Sequence, residues 1–228
     1  MSWFRVPGSI GCIFLCWAFF QLPSGSGDFA SRQTLSISEE PDRIALGWSG
    51  PVQEPMSERV AAAIDRYKDD RRRLVLILNS PGGSIEHGRK VVAAIRARDR
   101  AIDTLVQKAG VCASMCVPIF LAGTVRMADP EAYFMFHQVS LNSSASGNIK
   151  RQELSDSDKA LLSQAFKTYE TLVTDEFFRS DIGIRGVSVV WLAMMRGKIA
   201  GRDIWMSGQQ LVDEGSGIVD RLIRTAAR

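Results

Sequence analysis

The sequence predicts an α/β fold built on a largely parallel sheet, and three patterns support that prediction. The run Leu74–Leu78 is apolar at every position, which is typical of a strand covered on both faces. Stretches with strand-like and helix-like patterns alternate between Ile44 and Tyr133, as in proteins with parallel sheets. A long apolar stripe follows, which predicts one extended helix in the C-terminal half of the chain.

The individual elements are predicted from local signals. Ile44–Trp48 and Ile102–Val106 have the composition of short strands, and Tyr133–Phe136 is the last short strand before the pattern changes. Ser57 and Ser84 each precede a stretch with apolar residues at helical spacing. Because a serine side chain can accept a hydrogen bond from the first turn of a helix, we expect each of them to be a helix cap.

The long helix is predicted to follow a loop, because residues 139–152 are rich in Ser and Asn. Its apolar stripe consists of Leu154, Leu161, Leu162, Ala165, Phe166, Tyr169, Leu172, Val173 and Phe177. A stripe of this length requires a partner surface, which is either the domain's own core or another subunit.

Composition indicates one folded domain with an N-terminal extension. The chain has 228 residues, of which 46% are hydrophobic, and its formal net charge is +3. Basic residues are scattered among acidic ones, so charge indicates neither nucleic acid nor an anionic membrane surface as a partner. We expect a flexible arm over residues 28–42 and a single domain over residues 43–228.

The segment 1–27 differs in kind from the rest of the chain. Residues 6–22 are almost wholly apolar, and small flexible residues follow them up to position 27. This pattern is typical of a secretory signal peptide. Because the apolar part is shorter than the roughly 20 residues of a usual spanning helix, cleavage is favoured over a membrane anchor through residues 6–22. We therefore expect an exported protein in the periplasm or cell envelope.

Cys112 and Cys116 lie outside that segment, so export would expose them to an oxidising compartment. On a helix their spacing would place them on one face, where a disulfide is geometrically awkward. Two residues are too few for a structural zinc site, and no metal or other cofactor is expected. We interpret them as small buried packing residues, with a redox switch beside Ser114 as the alternative.

Three segments together indicate a serine hydrolase. Asn79–Gly83 comes directly after a buried strand and is a glycine-rich loop of the kind whose backbone amides hold anions. Ser114 lies just ahead of a helical run, where the positive end of a helix favours a developing anion. A serine needs a base and a stabilised oxyanion before it can attack a carbonyl. The amides of Gly83 and Met115 are the expected oxyanion donors.

The chain contains two histidines, so there are two histidine candidates for the general base. His137 follows an apolar strand and can project from its end. His87 lies in a predicted exposed helix beside charged residues. The strand-end position favours His137 as the residue that removes the serine proton.

These segments resemble the ClpP peptidase family, the proteolytic subunit of the caseinolytic protease, within the ClpP/crotonase superfamily. The resemblance covers most of residues 44–223 and is carried by Ser49–Val52, Leu78–Ser84, Val111–Cys116, Leu121–Gly123, Met135–Gln138, Arg202–Ser207, Val212–Gly215 and Ile218–Asp220. It implies a ClpP/crotonase-like fold, a repeated ββα spiral with a long helix in the C-terminal half.

The resemblance also implies roles for particular residues. Ser114 is the nucleophile, His137 the base and Asp203 the carboxylate that orients the base. Gly83 and Met115 form the oxyanion hole, and the activity is that of a serine endopeptidase acting on peptides or unfolded protein. Family members assemble into rings or stacks, so a homo-oligomer is expected.

Several residues depart from the family pattern. Pro118 removes an amide near the start of the nucleophile's helix, which is harmless if it lies in the first turn. Val139 stands where a proline commonly follows the family's His-Gln pair. An arm that follows an export signal argues against docking on the cytosolic unfoldase ATPases that serve the family's cytosolic members.

Three other functions are also compatible with the sequence. A serine-lysine dyad, as in relatives of signal-peptide peptidases, would use Lys150, Lys159 or Lys167 as the base. A ClpP-like binding or scaffold protein of the cell envelope would keep the fold without the activity. The crotonase branch shares the oxyanion architecture, but its acyl-CoA substrates are intracellular.

Overall fold

The structure is a computed structural model that describes residues 32–97, 99–139, 155–184 and 186–225. The predicted signal or anchor segment 1–27 lies outside the described residues, as do positions 140–152 of the predicted loop and Leu154 of the predicted stripe. Within the described ranges, no helix is both long and apolar enough to cross a membrane.

Strands and helices alternate along the chain as the sequence predicts. The strands are β1 (Thr34–Glu39), β2 (Arg43–Ser49), β3 (Arg73–Asn79), β4 (Ile102–Val106), β5 (Val111–Ala113), β6 (Arg126–Ala128), β7 (Tyr133–Phe136), β8 (Ile204–Ser207) and β9 (Arg221–Leu222). The helices are α1 (Met56–Arg66), α2 (Ile85–Arg96), α3 (Cys116–Leu121), α4 (Asp156–Phe177), α5 (Val189–Lys198) and α6 (Gly208–Asp213), with a π-helical turn at Phe178–Ile182.

The main sheet has the order β1-β2-β3-β4-β6-β9, and all its neighbouring strands except β1 and β2 run parallel. Alternate residues of β3 point to opposite faces. Leu74 and Leu76 belong to the large core cluster, whereas Val75 and Ile77 belong to a smaller cluster. Both faces are covered, which explains why the run Leu74–Leu78 within β3 is apolar at every position.

A second sheet, of order β5-β7-β8, is built as the chain spirals. After β4 the chain adds β5 to it, and after β6 it adds β7. Isolated bridges from Val52 to Gly83 and from Ser80 to Cys112 continue the pattern in the earlier turns of the spiral. This arrangement is the repeated ββα spiral that the resemblance implies, so the predicted fold class is confirmed.

Two local predictions are wrong. The predicted flexible arm contains β1, which pairs antiparallel with β2 along its whole length. It is hard to detect from sequence because β1 is an exposed edge strand held mainly by backbone hydrogen bonds, with Leu35 partly packed on the core.

Helix α1 begins at Met56 with Pro55 in the capping position, so Ser57 is not its cap. Ser84 does cap α2, accepting a hydrogen bond from the His87 amide at 3.3 Å.

Among the described residues, helix α4 packs on the domain through its C-terminal end only. Thr174 and Phe177 are buried, whereas Leu161 and Leu172 are 70% and 61% exposed. The domain's own core therefore covers the end of the predicted stripe and leaves its outer part uncovered by described residues. Beyond α4, the Asp181 carboxylate accepts two hydrogen bonds from Arg89 of α2, at 2.9 and 2.7 Å.

A matched pair of leucine substitutions tests this division between core and projecting helix. Leu76→Ala should lower the free energy of unfolding by about 2–5 kcal/mol, because it leaves a cavity in a fully buried strand. Leu161→Ala makes the same chemical change on an exposed surface and should change it by no more than about 0.5 kcal/mol. Urea denaturation measures both values. Equal losses would contradict the burial described, and a loss at Leu161 that grows with protein concentration would indicate a subunit contact along α4.

Candidate active site

Ser114 lies in the sharp turn that joins β5 to α3. Its φ angle is +53°, a left-handed conformation that costs a residue other than glycine roughly 1–2 kcal/mol. The turn is held on both sides, because the Ser114 amide donates to the Met135 carbonyl and its own carbonyl accepts from the Val117 amide, each at 2.9 Å. The hydroxyl is thereby placed just ahead of the first turn of α3. Pro118 is the third residue of that helix, so it removes no hydrogen bond.

His137 follows the last residue of β7 and reaches the serine. Its Nε2 atom lies 2.7 Å from the Ser114 Oγ atom. The end of β7 is fixed from behind, since the ring of Phe136 packs edge to face against Trp191 of α5 with centroids 5.3 Å apart. A neutral imidazole nitrogen at this distance can accept the serine proton. The structure therefore brings together the two residues that the sequence proposed as nucleophile and base.

His87 occupies the first turn of α2 and makes no hydrogen bond with Ser114. Its Nδ1 atom is buried without a hydrogen-bond partner among the described residues. Of the lysines considered as alternative bases, Lys159 Nζ bonds to Asp156 at 3.1 Å on α4, and Lys150 lies outside the described residues. Lys167 is exposed on α4. The geometry therefore favours the histidine over the serine-lysine arrangement.

The loop after β3 leaves one amide unpaired. The Ser80 amide donates to the Val111 carbonyl at 2.7 Å, and the Gly82 amide donates to Ser80 Oγ at 3.2 Å. The Ser84 amide donates to the Val52 carbonyl at 2.8 Å. Among the described residues, the amide of Gly83 has no acceptor, and Gly83 is exposed. It is therefore free to donate to a ligand.

A second set of free amides faces the same region. The amides of Met115 and Cys116 start α3 and have no acceptor among the described residues, as is usual for the first residues of a helix. Gly82 connects the two sets, since a Cβ atom built on it would lie 2.7 Å from Ser114 Cβ and 3.2 Å from the Met115 nitrogen. The loop and the turn are thus in direct contact. Unpaired amides grouped beside a nucleophile can stabilise an oxyanion.

Asp203 lies next to His137 but does not bond to it. The last pair of the β7–β8 ladder is Phe136 opposite Ile204, so Asp203 is one residue beyond the pairing on the side of His137. Its side chain is exposed, and the described residues show no hydrogen bond between it and the imidazole. Resting enzymes often hold such contacts loosely. The strand register therefore puts the backbone of Asp203 near that of His137, without the hydrogen bond of a closed triad.

The segment after His137 is tied to α4. The amide of Val139 donates to Thr174 Oγ1 at 2.9 Å, and that hydroxyl in turn donates to the Glu170 carbonyl at 2.7 Å. A proline has no amide hydrogen and could not make this contact. The departure from the family's proline at this position therefore has a structural role that the sequence alone did not reveal.

The interpretation of Cys112 and Cys116 as separate packing residues is wrong, because they form a disulfide bond. The sequence pattern suggested one helix for both, but Cys112 is in β5 and Cys116 is the first residue of α3. The left-handed turn at Ser114 folds the chain back, so the two Cα atoms are 5.1 Å apart, within the usual range for a disulfide. Their burial was predicted correctly, since both are fully buried.

A serine hydrogen-bonded to an imidazole beside unpaired amides defines a site of the serine hydrolase class, and here the site lies on an α/β spiral fold. Comparisons with known proteins narrow this class. Residues 40–175 match the family model described as Clp protease. The ATP-dependent Clp protease proteolytic subunit of Streptococcus sanguinis (strain SK36) is 28% identical over 179 residues, covering 76% of this chain and 82% of that protein.

Two further similarities agree with that match. The subunit of the same name from Streptococcus pyogenes serotype M5 (strain Manfredo) is 33% identical over 101 residues, covering 42% of this chain and 50% of that protein. The structure of a ClpP1 mutant from Listeria monocytogenes has a TM-score of 0.57 and 18% identity, covering 81% of this chain and 92% of that one. The chain belongs to the Clp protease family, whose members are serine peptidases.

A matched pair of glycine substitutions tests the contact between the loop and the turn. Gly82→Ala should lower the free energy of unfolding by about 1–3 kcal/mol, because φ is +88° and the new methyl would overlap the Ala113 carbonyl and Ser114. Gly197→Ala, in α5, should raise it by up to about 1 kcal/mol, because no described atom outside the local helix backbone lies within 4 Å of the new methyl. Chemical denaturation measures both. Tolerance of alanine at Gly82 would contradict the close approach of the loop to Ser114.

Proposed function

We propose that the protein is an exported serine endopeptidase that hydrolyses peptide bonds through Ser114, His137 and Asp203. The observation that carries the proposal is the 2.7 Å contact between Ser114 Oγ and His137 Nε2. The unpaired amides of Gly83 and Met115 beside it support an oxyanion hole. Membership of the Clp protease family supports peptides as the substrate class.

The proposed reaction proceeds through an acyl-enzyme. Ser114 Oγ attacks the carbonyl carbon of the scissile bond while His137 Nε2 accepts its proton. The negative charge that develops on the carbonyl oxygen accepts hydrogen bonds from the Gly83 and Met115 amides. The C–N bond then breaks as His137 gives its proton to the leaving amine. A water molecule, deprotonated by His137, attacks the ester and releases the second product.

In this proposal, Asp203 orients the base. The strand register puts the backbone of Asp203 near that of His137, and in this proposal a rotation of its exposed side chain brings the carboxylate to the Nδ1 atom. A carboxylate there would fix the tautomer that keeps Nε2 free to accept the serine proton, and would stabilise the imidazolium. The hydrogen bond would form when substrate or a neighbouring subunit orders this region.

Assembly and location complete the proposal. Family members form homo-oligomeric rings, and the uncovered apolar surface of α4, with Leu161 and Leu172, supports a homo-oligomer here. The N-terminal composition supports export, either with cleavage or with an anchor in residues 6–22. The disulfide between Cys112 and Cys116 also supports an oxidising compartment. An enzyme in that location would act on peptides or unfolded protein without the cytosolic ATPase partners.

An inactive ClpP-like scaffold of the cell envelope is the second candidate. The observation that favours it is the missing hydrogen bond between His137 and Asp203. Such a protein would keep the fold and any subunit contacts, while the serine would not react. Reactivity of the serine hydroxyl therefore separates the two functions.

Labelling with a fluorophosphonate probe tests the proposed function. Ser114 should displace fluoride and become covalently phosphonylated. Ser114→Ala should abolish labelling, and His137→Ala should slow it by roughly 10³-fold or more, because the hydroxyl loses its base. Asp203→Asn should slow it less severely than His137→Ala, because the imidazole remains. The rate constants are measured by mass spectrometry of the intact chain.

Control variants make the outcome specific. Lys159→Ala and Lys167→Ala should label at the wild-type rate, whereas a loss of labelling in either one would support the serine-lysine dyad. Labelling that survives His137→Ala at an unchanged rate would refute the assignment of the base. Absence of labelling in the wild type, with the fold intact by circular dichroism, would favour the scaffold.

A further inference from the structure

We propose that the disulfide between Cys112 and Cys116 is a positioning device for catalysis: it holds Ser114 in its left-handed turn and the Met115 amide beside it. The proposal rests on the peptidase function proposed above. Its consequence is that full activity requires the oxidised cysteine pair.

The disulfide encloses the turn that carries the nucleophile. It closes a ring of five residues, Cys112 to Cys116, with Ser114 at the centre and the two Cα atoms 5.1 Å apart. Both cysteines are fully buried in the main core cluster. One is anchored in β5 and the other begins α3, so the bond joins the two elements at the point where the nucleophile emerges.

The conformation of Ser114 needs such support. A serine with φ of +53° has none of the freedom that lets glycine adopt this conformation. Backbone hydrogen bonds fix the chain before the turn, since the Ala113 amide donates to the Ser80 carbonyl at 3.0 Å. After the turn, the amides of Met115 and Cys116 have no acceptor in the described part of the chain. The Val117 amide donates to the Ser114 carbonyl at 2.9 Å, and the disulfide adds a covalent link across the whole turn.

The Met115 amide depends on the same link. Its direction is set by the peptide unit between Ser114 and Met115, which lies inside the five-residue ring. A small rotation of this unit would turn the amide away from the Gly83 amide and from the carbonyl oxygen that both are proposed to bind. Misplaced donors stabilise the transition state poorly while leaving the contacts of bound substrate unchanged.

A general stabilising role explains the bond less well. A disulfide restricts the unfolded chain more when it closes a longer loop, and this loop is among the shortest that two cysteines can close. Cys112 and Cys116 are also already held by a strand and a helix. What the bond adds is local geometry at Ser114.

The proposal predicts a specific kinetic defect when the bond is absent. The double variant Cys112→Ala/Cys116→Ala should lose about tenfold or more in kcat for a peptide ester, with KM changed less than twofold. Loss of a complete oxyanion donor typically costs about 10²–10³ in kcat, so a misaligned one should cost less. Ile119→Val, which removes one buried methylene from the same helix, controls for lost packing and should keep the wild-type kcat.

Reduction of the wild type gives a second route that does not depend on how the variant folds. Dithiothreitol transfers two electrons and two protons to the disulfide, giving two thiols, and is itself oxidised to its cyclic disulfide. Trypsin cleaves after Lys108 and Arg126, so a single peptide, residues 109–126, carries both cysteines and Ser114. Mass spectrometry of that peptide reports alkylation of the cysteines and phosphonylation of Ser114 together. Labelling should slow as the reduced form accumulates, and dithiothreitol should not affect the double variant.

Hydrogen exchange makes the test independent of activity. The hydrogen-bonded amides of Ala113, Ser114 and Val117 should exchange about tenfold faster or more in the double variant than in the wild type, while amides of β3 exchange at unchanged rates. This comparison stands even where the wild type is not labelled and the proposed function fails. The positioning role is overturned if the double variant has the same exchange rates and the same kcat as the wild type. It is also overturned by free, alkylatable thiols at Cys112 and Cys116 in the native protein, or by a loss of kcat in Ile119→Val equal to that of the double variant.

Discussion

The pairing of Ser80 with β5 determines where the parts of the site lie. Ser80 is fully buried, and its backbone exchanges hydrogen bonds with Val111 and Ala113 at 2.7 and 3.0 Å. Its hydroxyl also accepts the Gly82 amide. One residue thus fixes the glycine loop against the strand that ends at the nucleophile. The distance between the loop amides and Ser114 is therefore set by sheet hydrogen bonding, which is more rigid than contacts between side chains.

Local sequence predicted the parts of this arrangement that depend on pattern. The apolar run of β3 and the cap at Ser84 follow from burial and helix initiation, and the structure has both. The position of His137 at a strand end favoured it as the base, and the motif resemblance supported this, but its distance from Ser114 depends on which strands are neighbours. The disulfide was missed because its geometry depends on a single backbone angle at Ser114. β1 was missed because an exposed edge strand carries a weak hydrophobic signal.

The unpaired amides near Ser114 raise the free energy of the folded protein when they have no acceptor, and they stabilise a substrate oxygen that accepts from them. Most buried polar groups in proteins have hydrogen-bond partners. Met115 is fully buried, yet its amide has no acceptor among the described residues. Dipoles fixed in this way need no reorganisation when charge develops on a substrate. The amides stay unpaired because the loop glycines and Ser114 adopt backbone conformations with positive φ.

The hydrogen bond from Val139 to Thr174 connects this site to the outer surface of the molecule. Val139 is two residues after His137, and Thr174 lies near the end of α4, whose other end projects beyond the domain. The packed turns around Phe177 hold the C-terminal end of α4 in the domain, and the same end is hydrogen-bonded to the chain segment that carries the His137 imidazole. If a neighbouring molecule or a bound protein displaced the exposed part of α4, the displacement would therefore act on His137 more directly than on Ser114.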